Sequence, residues 1–181
     1  MNDIFTQWCG IAFRLCEIIL LDTSKVIRPT PQGPRRLSDH LTDDGVLVLR
    51  AGQPRFGEIL DEIMTNGQAM AFIEKMRKKC VHIFFAHNVR DEADVLPEEG
   101  VGGYFDYGSQ RVSYGVVDAA TARLAQTIAH EIGHALGEAA HSTQPNNLMQ
   151  ETVGEDDTRL ESDQCDRILR VLQTYVSSDC P

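Results

Sequence analysis

The sequence has no apolar run long enough to cross a membrane. The nearest candidate, residues 11–21, is too short and is interrupted by Arg14 and Glu17. It also makes a poor secretion signal, because Asp3 rather than a basic region precedes it and no clear small-residue cleavage site follows. The chain is expected to be secreted if a signal has been removed and cytoplasmic otherwise. Basic residues are in deficit, with 17 Lys and Arg against 27 Asp and Glu and a formal net charge of −10. That argues against nucleic acid, whose phosphates need a basic patch. Solubility is reason enough for the acidity. No C-x-x-C pair, internal repeat or low-complexity tract is present. Residues 88–100 hold the acidic side chains Asp91, Glu92, Asp94, Glu98 and Glu99 but lack EF-hand spacing, so calcium is unsupported and a solvated loop is expected. No Ser or Cys constellation offers a protein nucleophile.

What is present fits one domain. The chain has 181 residues, 42% of them hydrophobic and 24% charged, ordinary for a globular protein with a sizeable core. A monomer is expected. Five cysteines, Cys9, Cys16, Cys80, Cys165 and Cys180, leave at least one unpaired within the chain. Cys165 could bridge to Cys180, and Cys9 or Cys16 to Cys80; reduced, buried thiols are an equal alternative.

The chemistry concentrates at residues 130–141, which open with H-E-x-x-H. On a helix, positions i and i+4 share a face, so His130 and His134 can aim their imidazoles at one point, as zinc requires of two ligands. Glu131 lies beside that point, where it can hold a bound water and take its proton. Residues 121–129 are good helix material, and Leu124, Ile128 and Ile132 form an apolar stripe. Asp118 or Thr121 is the expected cap. Gly133 inside the helix points to close packing. Gly137 suits a helix end in a left-handed conformation, after which the chain can turn back and bring His141 to the metal. A Pro145-Asn146-Asn147 turn then leads into Leu148-Met149.

These residues resemble the metzincin clan of zinc peptidases, whose signature is H-E-x-x-H-x-x-G-x-x-H followed by a Met-turn. The text HEIGHALG…HSTQPNNLM is most similar to the matrixin-like branch. The resemblance implies zinc ligands at His130, His134 and His141, a general base at Glu131, a turn at Gly137 and a hydrophobic floor at Met149. The third histidine of the family pattern falls three residues after the glycine, a place held here by Ala140; His141 comes one later. The extra residue is expected to bulge within 138–140, with Glu138 a bystander. A downstream carboxylate, Glu151 or Glu161, is the other source of a third ligand. Two unliganded surface histidines are the plain alternative.

Along the chain, strands are expected at 12–21, 46–50, 81–86, 102–107 and 112–117. Residues 22–44, rich in proline and charge, read as a loop. Residues 56–79 read as helix, with Ile59, Leu60, Ile63 and Met64 on one stripe and Met70, Ile73 and Met76 continuing it past Asn66-Gly67. Gly108-Ser109 marks a turn. A last helix opens near 161–163 and buries Ile168, Leu169, Val171 and Leu172. His82 and His87 are expected to be structural. The resulting class is α+β: a five-stranded, mostly parallel twisted sheet with two long helices, then the active-site helix, the Met-turn and a C-terminal helix. That layout is similar to the metzincin architecture, with an upper subdomain over residues 1–137 and a lower subdomain over residues 138–181 around a cleft. The expected function is zinc-dependent hydrolysis of peptide bonds in a peptide or protein substrate. The alternative is a metzincin-like fold that binds a partner or acts without peptidase activity. Gly103, Tyr104 and Phe105, in a glycine- and aromatic-rich strand, are the candidate substrate-binding residues.

Overall fold

A computed structural model describes residues 2–15, 17–18, 27–28, 35–36, 47–49, 60–61, 63–64, 70–86, 89–91, 97–98, 100–108, 110–138 and 140–175. The chain runs through helix α1 (Asn2–Cys9), strands β1 (Ile27–Arg28), β2 (Arg35–Arg36) and β3 (Leu47–Leu49), and helix α2 (Met70–Met76). Strands β4 (Val81–Ala86), β5 (Val89–Asp91), β6 (Pro97–Glu98), β7 (Gly100–Tyr107) and β8 (Gln110–Asp118) follow. Helices α3 (Leu124–Ala135) and α4 (Ser162–Tyr175) complete it. The fold is mixed α and β.

The sheet that carries the site has the order β4-β8-β7. β8 runs parallel to β4, with Val81 opposite Ser113, and antiparallel to β7, with Gly102 opposite Gly115. β8 is buried from Val112 to Asp118 because both faces are covered. Val112, Tyr114 and Val116 face a core made with Leu60, Ile63, Met64, Ile73 and Met76. Alternate residues of a strand face opposite ways, so Ser113, Gly115 and Val117 turn toward α3. Tyr107 lies opposite Gln110, so β7 and β8 join through a two-residue turn, and Gly108 takes its positive φ of 63°.

A second core joins α1, α3, α4 and the 147–149 turn through Phe5, Ile132, Leu136, Leu148, Met149 and Ile168. Gly133 is the notch in that contact: a methyl group there would collide with the Met149 sulfur. α3 closes at Gly137, φ 102°, whose N–H donates to His134 O (3.0 Å) while the Glu138 N–H donates to Gly133 O (3.0 Å). This paired closure satisfies the last carbonyls and reverses the chain.

Several expectations change. The described strands divide into β4-β8-β7, a separate β3-β5-β6 set and the β1-β2 pair, so a single five-stranded sheet is not seen among the described residues. The expected 88–100 loop forms β5 and β6 at two places, where β5 pairs with β3. Residues 12–15 and 17–18 are not strand, and the rest of 12–21 lies outside the described residues. The turn at Gly10, φ 66°, brings the start of this segment back onto α1, where the Ile11 N–H donates to Phe5 O (3.2 Å) and Phe13 packs on Phe5, while Glu17 pairs with Lys75 of α2. Helix α1 was not expected. Asp118 and Thr121 do not cap α3; they accept from Ala120 N–H (2.8 Å) and Arg123 N–H (3.4 Å) and shape the approach to the helix. His82 is half-buried, its Nε2 near Lys78 O (3.3 Å), and burial lowers its pKa; His87 lies outside the described residues.

Cys9 is bonded to Cys165, with 5.2 Å between their Cα atoms, and Cys80 is also in a disulfide. Packing of α1 on α4 explains the pairing, since Phe5 and Ile168 bury together and bring the two thiols into reach. Cys165 is therefore not available to Cys180, nor Cys9 to Cys80. Cross-linking residues 156 apart restricts the unfolded chain strongly. The Cys9→Ser, Cys165→Ser double variant is expected to lose roughly 2–5 kcal/mol in urea unfolding; an unchanged midpoint would show that packing alone holds α1.

Candidate metal centre

α3 places His130 and His134 one turn apart on the same face. Each ring is oriented by a backbone carbonyl. His130 Nδ1 donates to Leu148 O at 2.7 Å, and His134 Nδ1 donates to Glu138 O at 2.5 Å. A carbonyl can only accept, so both protons reside on Nδ1 and both Nε2 atoms carry lone pairs. Those Nε2 atoms lie 3.0 Å apart, and His141 Nε2 lies 3.2 Å from that of His134. Among the described residues the three histidines form the one cluster fit to hold a metal ion.

Three nitrogens on a tetrahedral zinc at its usual bond length would be separated by roughly 3.3 Å. The observed spacings match that edge. Facing lone pairs at this distance repel unless a cation lies between them, so the donor set and its chemistry both fit zinc. Burial also keeps the ligands neutral, as metal binding requires. Desolvation pushes the His130 pKa down to about 4 and lowers that of His134, while the hydrogen bonds to carbonyls oppose the shift.

The carbonyls are held by the turn and by α4. Asn147 Oδ1 accepts from Met149 N–H (2.9 Å), and its side-chain amide donates to Gln164 Oε1 (2.9 Å). This buried amide pair fixes Leu148, whose N–H donates to Arg159 O (2.7 Å). Met149 is fully buried beneath Gly133. Glu138 is not part of the histidine cluster: its buried carboxylate takes Arg167 in a fork, Nε to Oε1 at 2.6 Å and Nη2 to Oε2 at 3.0 Å. Glu151 is exposed and Glu161 pairs with Arg159 at 3.3 Å, so neither joins the cluster. Ala140 and His141 are exposed, leaving one side of the site open.

Glu131 is buried between α3 and the sheet. The strands make room for it with glycines: a Cβ at Gly100 would stand 2.6 Å from Glu131 Oε1, one at Gly102 would stand 2.8 Å from Oε2, and one at Gly115 3.1 Å from its Cβ. Gly100 and Gly102 are two apart on β7 and share a face. β7 is the outer strand of its sheet, and no described strand pairs with its other edge. On it Tyr104 is 43% exposed and stacks over the Arg111 guanidinium at 3.7 Å. Gly103 is half-buried, and Phe105 packs on the opposite face against the first core.

The matrixin model of peptidase family M10 matches residues 62–173. The chain belongs to the matrixin family. The match spans the sheet, the histidine cluster and nearly all of α4, so this matrixin centre lies in a zinc metallopeptidase family. No curated protein and no solved structure shows a significant match to the chain. The contacts that hold the site from behind, Arg167 on Glu138 and Gln164 on Asn147, were not found in the sequence. Spacing along the chain carries no signal for pairs 29 and 17 residues apart.

The buried imidazoles fix the sign of a pH response. Unfolded histidines take up protons near 6.5, whereas folded His130 resists until about 4. Between those values the unfolded state binds more protons, so stability falls as pH falls. The urea midpoint of the metal-free protein is expected to drop across pH 6.5 to 4, and to drop less in His130→Gln. Equal slopes in both proteins would contradict burial as the cause.

Proposed function

We propose that this matrixin is a zinc-dependent metalloendopeptidase. The observation that carries the reading is the convergence of three imidazole Nε2 atoms, two of them forced to present lone pairs by carbonyls behind them. His130, His134 and His141 hold the metal. Zinc there supplies a lowered pKa for water and polarisation of the scissile carbonyl. Glu131 takes the proton of the attacking water and passes it to the departing amine. Its burial against Gly100 and Gly102 limits the conformations of its side chain, which favours a positioned base. Met149 forms the floor, and Gly137 makes the turn toward His141. Residues 1–181 act as one catalytic domain, with the upper subdomain (residues 1–137) and the lower subdomain (residues 138–181) flanking the cleft. An oxidising compartment outside the cytoplasm is the proposed location, supported by the disulfide between Cys9 and Cys165.

Substrate adds to the open edge of β7 as an extended strand, through backbone groups at Gly103, Tyr104 and Phe105. Backbone N–H groups along an edge strand alternate between the partner and the open side. Of Gly103→Pro and Tyr104→Pro, the variant that removes an outward N–H is expected to raise KM for peptides while zinc stays bound; unchanged KM in both would remove β7 from substrate binding.

The test of the activity is Glu131→Gln. It is expected to keep zinc and to lose peptide hydrolysis by at least ~10²–10⁴-fold, the contribution of a well-placed base. Digestion of a denatured protein by the parent, abolished by a chelator and restored by zinc, completes the test. A parent that binds zinc without cleaving any peptide, or a Glu131→Gln variant with normal turnover, would overturn the reading.

A further inference from the structure

The two carbonyls that orient His130 and His134 are both held in place from one helix. Leu148 O follows Asn147, which is locked to Gln164 of α4. Glu138 O belongs to a residue whose side chain is locked to Arg167, also of α4. Residues three apart on a helix share a face, so Gln164 and Arg167 stand together behind the histidines. Gln164 uses its carbonyl oxygen twice, accepting from Asn147 and from the Glu161 N–H at 2.8 Å, which ties the arrangement to the first turn of α4.

The Arg167 arm is the more exposed to perturbation. Glu138 sits just past the helix end, where the chain is reversing and no regular structure holds it. It is 3% exposed, so its carboxylate has left water almost completely. Such a charge is retained only with a partner in good geometry. Arg167 supplies a two-pronged contact, and its remaining amino group, Nη1, is held by Asp163 Oδ2 at 2.8 Å. Glu138 is thus fixed at three points: N–H to Gly133 O, carboxylate to Arg167, and carbonyl to His134 Nδ1. Removing the side-chain anchor frees the residue to rotate, and its carbonyl moves with it.

We propose that Arg167 is a positioning residue of the metal centre: by gripping the Glu138 carboxylate, it holds the Glu138 carbonyl on His134 Nδ1 and fixes that imidazole in the tautomer whose Nε2 faces the triad. The inference rests on the reading of the triad as a zinc site, but its effect on the His134 tautomer precedes any metal. Gln164, acting through Asn147, does the same for His130. α4 therefore serves as the outer support of the centre although none of its residues joins the triad. Outer groups that orient a metal-binding imidazole typically contribute roughly 10- to 100-fold in metal affinity.

The experiment compares the full chain with Arg167→Leu, Arg167→Lys, the double variant Glu138→Leu, Arg167→Leu, and Arg170→Leu as a control for charge on the same helix. Two quantities are read: zinc affinity by competition with a chelator, and the His134 tautomer in the metal-free protein by nitrogen-15 NMR of the ring. Arg167→Leu is expected to bind zinc roughly 10- to 100-fold more weakly, with His134 losing its single Nδ1-protonated form. Arg167→Lys is expected to recover only some of this, because an ammonium cannot reproduce the fork. Arg170→Leu is expected to match the parent in both. The double variant leaves no buried unpaired charge, so it separates the grip from folding: the same tautomer loss supports the proposal, and parental zinc affinity with the parental tautomer overturns it. An unchanged tautomer in Arg167→Leu also overturns it. If the parent itself binds no zinc, the metal reading fails, and the tautomer comparison still decides whether Arg167 sets His134.

Discussion

Two lone pairs face each other across 3.0 Å at His130 and His134, and the rest of the site is arranged to keep them there. Neither imidazole can escape by moving its proton to Nε2, because each Nδ1 proton is committed to a carbonyl. Neither can become charged cheaply, because burial opposes protonation. Imidazoles that present lone pairs to one point form a donor set suited to a cation. His141 completes it from a segment that lacks regular structure, which makes it the adjustable member of the set. Two rigid ligands on one helix with a third on a loop keep the geometry fixed and one side open.

The packing serves the same end. Glycines appear where α3 must come close to its neighbours: Gly100, Gly102 and Gly115 on the sheet side, and Gly133 on the Met149 side. A Cβ at Gly102 would collide with the α3 backbone itself, and one at Gly100 or Gly133 would displace the side chain of Glu131 or that of Met149 in the 147–149 turn. A shift of about an ångström would separate the imidazoles from the carbonyls that orient them. The second core and the Cys9–Cys165 bond then hold α4 against the same turn. The hydrophobic contacts supply the stability, and the glycines decide how close the elements approach.

How much was legible in the sequence follows from the range of each interaction. His130, Glu131 and His134 could be placed together because helix periodicity is local. Gly137 could be read as the reversal because only one backbone conformation there favours glycine. β4 was found at its observed bounds, and β8 within a residue or two, since both are runs rich in β-branched and aromatic residues beside turn signals. Apart from the cap of α3 and the unexpected α1, the failures were non-local. Whether residues 12–15 pair as a strand depends on what lies alongside, and the turn at Gly10 instead brings Ile11 and Phe13 onto Phe5 of α1. Cysteine pairing depends on which helices touch, so the contact between Cys9 and Cys165 left no trace in spacing. Strand order depends on partners as well, which is why individual strands could be located but the sheet could not be assembled.

Glu138 carries the same lesson to the residue that sets this chain apart from its family pattern. The extra residue before His141 is expected to bulge within residues 138–140, since closure entropy changes slowly with length. The first residue after Gly137 is pinned by backbone and side chain alike. From that pinned start the chain brings His141 Nε2 to 3.2 Å from His134 Nε2. A buried ion pair outside the triad thus fixes the residue from which the chain sets out toward His141. Loop length alone carries no sign of that anchor, because its partner lies 29 residues away on α4.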